Sequence, residues 1–277
     1  MKKPWHDKLA ILSGASSGFG LHLALVLAQQ GTRLVIIGRD RGRLERSCEL
    51  VRSAGAPEAI AFSVDITDEE SWNGNLGDAA GLRTFVENHA IDLLVNIVGR
   101  SDRGLLETMK DSDLIGQFQV NVLSTFRMTK VCLPGLKRAR GTVVDIASLA
   151  GILAGPGMGA YSLSKHALVG MHRQWRMELH ESNVHFMLVC PGPIDRGDSG
   201  DRYSELVEAR NLDRAMSKPG GGVRLNRLDP ELLAKKVVDA AAQRKVELVI
   251  PSKARWLVAL MSLCPSWGMR ILRNRFR

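Results

Sequence analysis

The sequence predicts an open α/β domain: a doubly wound, parallel sheet with helices on both faces. Three observations predict it. Short apolar runs recur along the chain, segments of helix length separate them, and a glycine-rich turn follows the first run directly. The runs are almost continuously apolar rather than alternating, which is the pattern of strands buried on both faces. Their regular exchange with helical text is the pattern of parallel crossovers.

The first run is LAILSG (9–14). RLVIIGR (33–39), EAIAFSVD (58–65), IDLLVNIVG (91–99), GTVVDIAS (141–148) and VHFMLVCPG (184–192) follow, and VELVIP (246–251) closes the series. Asp68, Glu69 and Glu70 read as the first turn of a helix, where acids suit the dipole. NGNLGDAAG (73–81) reads as a break or an insertion in the crossover to the fourth strand. The segment at 195–229 is long, charged and marked by glycine, with no core of its own. Because the sheet resumes at 246, it reads as a flap over a site, with Gly220, Gly221 and Gly222 as its hinge. Residues 1–251 therefore form one domain including the flap, and 252–277 form a basic, apolar tail.

The chain has 277 residues, long enough for a sizeable core, and a formal net charge of +9. That charge suits an anionic cofactor or an acidic lipid surface. No interleaved aromatic platform accompanies it, so nucleic acid is not the expected partner. Cys48, Cys132, Cys190 and Cys264 are scattered without a CxxC pair, which argues against a disulfide framework or structural zinc and suits a reducing compartment. The histidines, His166 and His172 among them, lack metal-ligand spacing and read as surface or packing residues, so no metal is expected. The first strand begins too early to leave room for a signal peptide, and no apolar stretch is long enough to span a bilayer. A cytoplasmic location is expected, with a place at the cytoplasmic face of a membrane left open by the tail.

In ILSGASSGFG, Gly14, Gly18 and Gly20 follow the first strand and precede helical text. Glycines there allow a tight turn and close approach of backbone to a phosphate, and the helix N-terminus adds free N–H donors. Ser13, Ser16 and Ser17 add hydroxyls. The spacing, G-x-x-x-G-x-G, is wider than the common dinucleotide fingerprint. Where an NAD site often places an acid, the second strand ends in Arg39, with Asp40 one place later and Arg41 and Arg43 beyond. A guanidinium suits a 2′-phosphate, so NADP(H) is expected over NAD.

Tyr161 and Lys165 are four residues apart and share a helical face. A nearby cation favours the phenolate and equips a tyrosine to pass a proton near neutral pH. Ser148 closes the fifth strand, at the sheet edge where parallel α/β proteins keep their ligands.

With these residues in place, the sequence resembles the classical branch of the short-chain dehydrogenase/reductase family from about Leu9 to Pro251. The resemblance implies a Rossmann-like fold and an NADP-dependent oxidoreductase. The family's glycine motif falls on Ser13 to Gly20, including Phe19. Its adenine-side aspartate falls on Asp65, followed by Ile66, and its Asn-Asn-Ala-Gly motif on Asn96, Ile97, Val98 and Gly99. Its catalytic residues fall on Asn121, Ser148, Tyr161 and Lys165, and the motif after the sixth strand on Pro191 to Arg196, including Gly192 and Ile194. The resemblance implies that Tyr161 exchanges the proton, Ser148 orients the reacting oxygen, Lys165 holds the ribose and lowers the tyrosine pKa, and Asn121 positions a water. Two departures stand out. Ile97 and Val98 replace an Asn and an Ala, and Arg196 stands where a threonine is usual. The Ile194 main chain is then left to hold the carboxamide. For Arg196, an anionic substrate, the cofactor's phosphates and solvent all remain open.

Apolar residues around 149–158 and within the flap imply a lipophilic pocket. The tail combines Trp256 and Trp267 with basic residues and no acid from Lys253 to Arg277, and Pro265 and Gly268 are expected to break it into two helical pieces. Peripheral membrane contact, packing on the core and packing on a partner subunit are the alternatives. The resemblance extends to 3-ketosphinganine and other lipid or steroid reductases and to homo-oligomers. The expected substrate is a small lipophilic carbonyl or alcohol. The competing expectation is a non-catalytic nucleotide-binding scaffold held at a membrane or partner surface.

Overall fold

A computed structural model describes residues 3–74, 77–197, 203–217 and 226–274. Each apolar run forms a strand: β1 Leu9–Ser13, β2 Arg33–Gly38, β3 Ala59–Ser63, β4 Leu93–Asn96, β5 Thr142–Ile146, β6 His185–Pro191 and β7 Glu247–Ile250. They pair in parallel throughout, in the order β3-β2-β1-β4-β5-β6-β7. The winding reverses between β1 and β4, which opens a crevice at the strands' carboxyl ends.

The near-continuous apolar text has a direct structural cause. Side chains alternate across a strand, so both faces need covering. Leu12, Leu34 and Ile36 face one layer, with Leu23, Leu27, Leu44 and Val237. These come from α1 Gly18–Ala28, α2 Arg41–Ser53 and, further along the chain, a helix at Pro230–Ala242. Ile11, Val35 and Ile37 face the opposite layer, with Leu82, Val86, Met128 and Cys132.

The break at 73–81 separates two helices, α3 Glu69–Asn73 and α4 Gly77–Asn88. Asp68 caps the first, its carboxylate accepting from the Ser71 N–H at 2.7 Å, so the acidic cluster is a helix start as its composition predicts. Beyond β4 come α5 Asp111–Phe118 and α6 Ser124–Ala139, joined by a wide π turn at Gln119–Leu123. α7 Gly159–Glu178 follows β5 and packs on β6.

The flap contains α8 Ser204–Ala209 and a 3₁₀ turn at Arg214–Ser217, and Val207 is buried. The proposed hinge at Gly220 to Gly222 lies outside the described residues. Both ends of the excursion are stitched together: Asp195 N–H donates to the Leu228 carbonyl at 2.8 Å and Leu228 N–H to the Pro193 carbonyl at 2.7 Å. Asp229 then caps α9 Pro230–Ala242, accepting from the Leu232 N–H, with Pro230 in the first turn.

The tail forms α10 Ala254–Leu263 and α11 Pro265–Asn274. The break falls at Cys264, as expected before a proline. Gly268, in contrast, breaks nothing. It sits inside α11, where a Cβ would lie 2.5 Å from Met261 Cγ. Its missing side chain lets the two helices pack closely. No described helix is long and apolar enough to cross a membrane.

Candidate active site

The crevice gathers residues from loops that follow many different strands. On its β1 side, Gly14 has φ +80°, a left-handed conformation that favours glycine, and a Cβ on Gly20 would lie 2.3 Å from the Gly14 carbonyl. Val98, behind Gly14, fills the space a side chain there would need. Ser17 is the N-cap of α1 and its side chain caps nothing, and the first turn carries no acid. The helix therefore presents donors and a positive end to the crevice, a cradle suited to a phosphate. Ser13 is buried and Ser16 half-buried beside it, and Phe19 reaches the neighbouring cavity.

At the end of β2, Arg39 is 79% exposed and lies 3.8 Å from Asp65. Burial works against the Asp65 carboxylate, but hydrogen bonds from the Thr67 hydroxyl and N–H and the Arg39 charge hold its pKa below the ordinary value. Asp40 is committed elsewhere. It caps α2 by accepting from the Arg43 N–H at 2.9 Å and pairs with the Arg43 guanidinium. Ile66 is buried, and its carbonyl accepts from Arg127.

Asn96 points into the sheet rather than along the crevice. Its amide donates to Asp145 at 2.8 Å and Thr129 at 3.1 Å. Asp145 is fully buried and also bonds His172 Nδ1 at 2.7 Å. His172 is thus a buried hydrogen-bonding residue of the layer beneath the site. Its spacing in sequence from Asp145 carries no motif that reveals the pair.

The four catalytic candidates converge. Ser148 follows β5 and caps a 3₁₀ turn, accepting from the Ala150 N–H at 3.1 Å. Its side chain lies near enough to that of Tyr161, in the first turn of α7, to favour the phenolate, and both line the same cavity. One helical turn on, Lys165 is buried and donates to the Ile146 carbonyl at 3.0 Å. Asn121 occupies the π turn, a distortion common at functional sites. Its Oδ1 accepts from the Arg100 N–H at 2.8 Å and its Nδ2 donates to the Arg100 carbonyl. A Cβ on Gly99 would lie 3.0 Å from Asn121 Oδ1 and 3.2 Å from Lys165 Nζ, so both polar ends press on that glycine.

Burial raises the Tyr161 phenol above its ordinary pKa, and the Ser148 hydroxyl and the charges of Arg103 and Arg196 oppose it. Both guanidiniums favour the phenolate. Burial pushes the Lys165 ammonium down to about 8, against support from Cys190 and Asp145. Burial pushes the Cys190 thiol up to about 12, so it is a small buried residue rather than a reactive one.

Arg103 has no sequence signal and is almost wholly buried. Its guanidinium stacks 3.8 Å from the Tyr203 ring centroid and donates to the Met216 carbonyl at 2.8 Å. Tyr203 hydrogen-bonds Ser101, and Arg210 pairs with Asp102. The loop after β4 is thereby clamped to the flap. Next to Tyr161 lies a cavity of about 660 Å³. Leu149, Met158, Trp256, Leu257, Leu260 and Leu272 make much of its wall, so both tail helices help to enclose the site.

Comparison with known proteins places this geometry. Residues 8–205 match the short chain dehydrogenase family, and the chain belongs to that family of oxidoreductases, which act on carbonyls and alcohols with a dinucleotide cofactor. It is 30% identical over 281 residues to dehydrogenase/reductase SDR family protein 7-like of Anopheles gambiae, covering 98% of this chain and 83% of that one. It is 26% identical to 11-beta-hydroxysteroid dehydrogenase 1A of Arabidopsis thaliana, over 96% of this chain and 76% of that one. Among solved structures, the alcohol dehydrogenase of Thermococcus sibiricus complexed with 5-hydroxy-NADP superposes with a TM-score of 0.68 at 25% identity, covering 88% of this chain and 96% of that one.

Proposed function

We propose that the protein is an NADP(H)-dependent reductase of a lipophilic carbonyl, or the reverse dehydrogenase of the matching secondary alcohol. The observation that carries the reading is that Ser148 and Tyr161 stand together at the wall of a largely apolar cavity, with Lys165 one helical turn on. The residues present fit a dinucleotide. Ser13, Gly14, Ser16, Ser17, Gly18, Phe19 and Gly20, with Val98 behind Gly14, would hold its pyrophosphate, Asp65 and Ile66 its adenine side, and Gly99, Pro191, Gly192 and Ile194 its nicotinamide end. The stitching of the flap uses the Pro193 carbonyl and the Asp195 N–H, and it leaves the Ile194 main chain out of the pairing. Arg39 supports NADP over NAD, because it is exposed while the neighbouring acid, Asp40, is spent on a helix cap.

The bound cofactor would supply the hydride. Tyr161 would give its proton to the carbonyl oxygen, and Ser148 would hold that oxygen in line. A phenol with a raised pKa stays protonated through neutral pH, the form needed for reduction. Lys165, pushed down to about 8, can hold or release a proton near neutrality beside Asn121. An 11-beta-hydroxysteroid dehydrogenase and a ketoacyl reductase among the relatives favour a sterol or 3-ketoacyl-type substrate.

The tail supports peripheral contact with a bilayer. Trp267 is 73% and Leu263 81% exposed on helices whose other residues line the cavity. NADPH oxidation measured across ketones of increasing chain length tests the activity. Rates that rise with chain length are expected, and no turnover of any ketone would sink the reading. Vesicle pelleting with and without residues 254–277 tests the contact, and unchanged pelleting would remove it.

A further inference from the structure

The cavity is cationic as well as apolar. Its described walls carry Arg100, Arg103, Lys165, Arg196 and Lys253, and no Asp or Glu. Lys165 is held by the Ile146 carbonyl and Arg103 by the flap. The remaining three are exposed, and their side chains form no hydrogen bond or ion pair with any described residue. They come from three separate loops, after β4, β6 and β7. Three unrelated segments thus each deliver to one mouth a cation that pairs with no described residue. Arg196 is also close enough to act on the Tyr161 phenol.

Cations that share an opening with like charges, without a counter-charge in the wall, repel one another. An anionic ligand relieves that repulsion and gains charge-assisted hydrogen bonds. The proposed cofactor's phosphates already have the α1 N-terminus and Arg39, on the β1–β2 side of the crevice. Lys253 opens the tail instead, beside the apolar residues of α10.

Resting on the carbonyl-reductase reading above, we propose that the substrate is an anionic amphiphile. It carries a carbonyl, an apolar chain that lies against Leu257, Leu260 and Leu272, and a carboxylate or phosphate held at the mouth by Arg196 with Arg100 and Lys253. The three cations are then specificity-determining residues that select an acid over the neutral compound of the same length.

The test compares a keto fatty acid, its methyl ester and a keto alkyl phosphate, all of one chain length and short enough to stay monomeric. Their binding to the NADPH-loaded full chain is read by quenching of tryptophan fluorescence, since Trp256 lines the cavity. At least one anion is expected to bind about 10- to 100-fold tighter than the ester, with the gap narrowing as salt rises. The better anion tells carboxylate from phosphate. In Arg196→Gln, and separately in Lys253→Gln, the anion-to-ester ratio is expected to fall toward one. Equal or tighter binding of the ester by the wild-type chain overturns the proposal. So does an unchanged ratio in both variants. So does a loss in Arg196→Gln confined to NADPH affinity, which assigns that cation to the cofactor. Binding is read apart from turnover. Anion-selective binding without hydride transfer keeps this proposal and sinks the reductase reading, and turnover of acid and ester alike does the reverse.

Discussion

The crevice has two halves built in opposite ways. The β1 half is assembled from one contiguous stretch, strand, turn and helix, with Gly14, Gly18 and Gly20 inside it. The cavity half draws on residues near 100, 148–161, 191–203 and 253–272, which meet only in the folded chain. A cradle for a constant chemical group can be encoded locally, because the backbone itself makes the contacts. A pocket for a particular substrate takes its shape from side chains on separate loops, and those can vary independently.

Substitutions can break or sharpen that contrast. The largest effect is expected at the junction of the halves. Tyr161→Phe should lower kcat by about 100- to 10,000-fold, the range for losing a general acid, while NADPH affinity measured by fluorescence titration stays unchanged. Equal loss of both would mean that the two halves are not separable.

Next comes the buried ammonium. Lys165 has a folded pKa of about 8 against an ordinary 10.5. Between those values the unfolded chain binds the extra proton, so stability of the cofactor-free protein rises as pH climbs from 8 toward 10.5, and burial of the charge costs stability below that window. The full difference is on the order of 3 kcal/mol. Chemical denaturation across that range should show the rise, and Lys165→Met should flatten it.

Arg39→Ala should weaken NADPH about tenfold, the scale of one exposed charge-assisted contact to a phosphate, and leave NADH where it was. An equal change in both coenzymes would remove Arg39 from the 2′-phosphate. The smallest effect belongs to the cavity. Trp256→Ala should raise KM several-fold for long-chain ketones, on the order of 1 kcal/mol of lost apolar contact, and spare short ones. A uniform change would take the tail out of substrate recognition.

The same division explains what the sequence made legible. All seven strands were readable because both faces of the sheet are buried, as Leu12 and Ile11 on opposite sides illustrate. The α3 start was readable because acids at a helix's positive end are a local rule, although Asp68 proves to be its cap rather than part of its first turn. The convergence of Ser148, Tyr161 and Lys165 followed from strand-end position and helical spacing. Arg103 was not readable, because its place depends on Tyr203 and Met216, a hundred or more positions away. The buried Asp145–His172 pair likewise joins a strand to a helix 27 positions on, with no motif between them. Gly268 looked like a breaker because glycine usually is one, and its role as a contact point with Met261 exists only once two helices lie together.

The placement of α10 and α11 also governs how the protein should be handled at the bench. An affinity tag fused after Arg277 would hang from the helix that puts Leu272 into the cavity wall, so purification by that end risks blunting the activity being sought. A tag ahead of Trp5, whose indole is anchored to the Val238 carbonyl within the core beside β1, sits on a firm mount away from the cavity wall. It is the safer handle for every assay above.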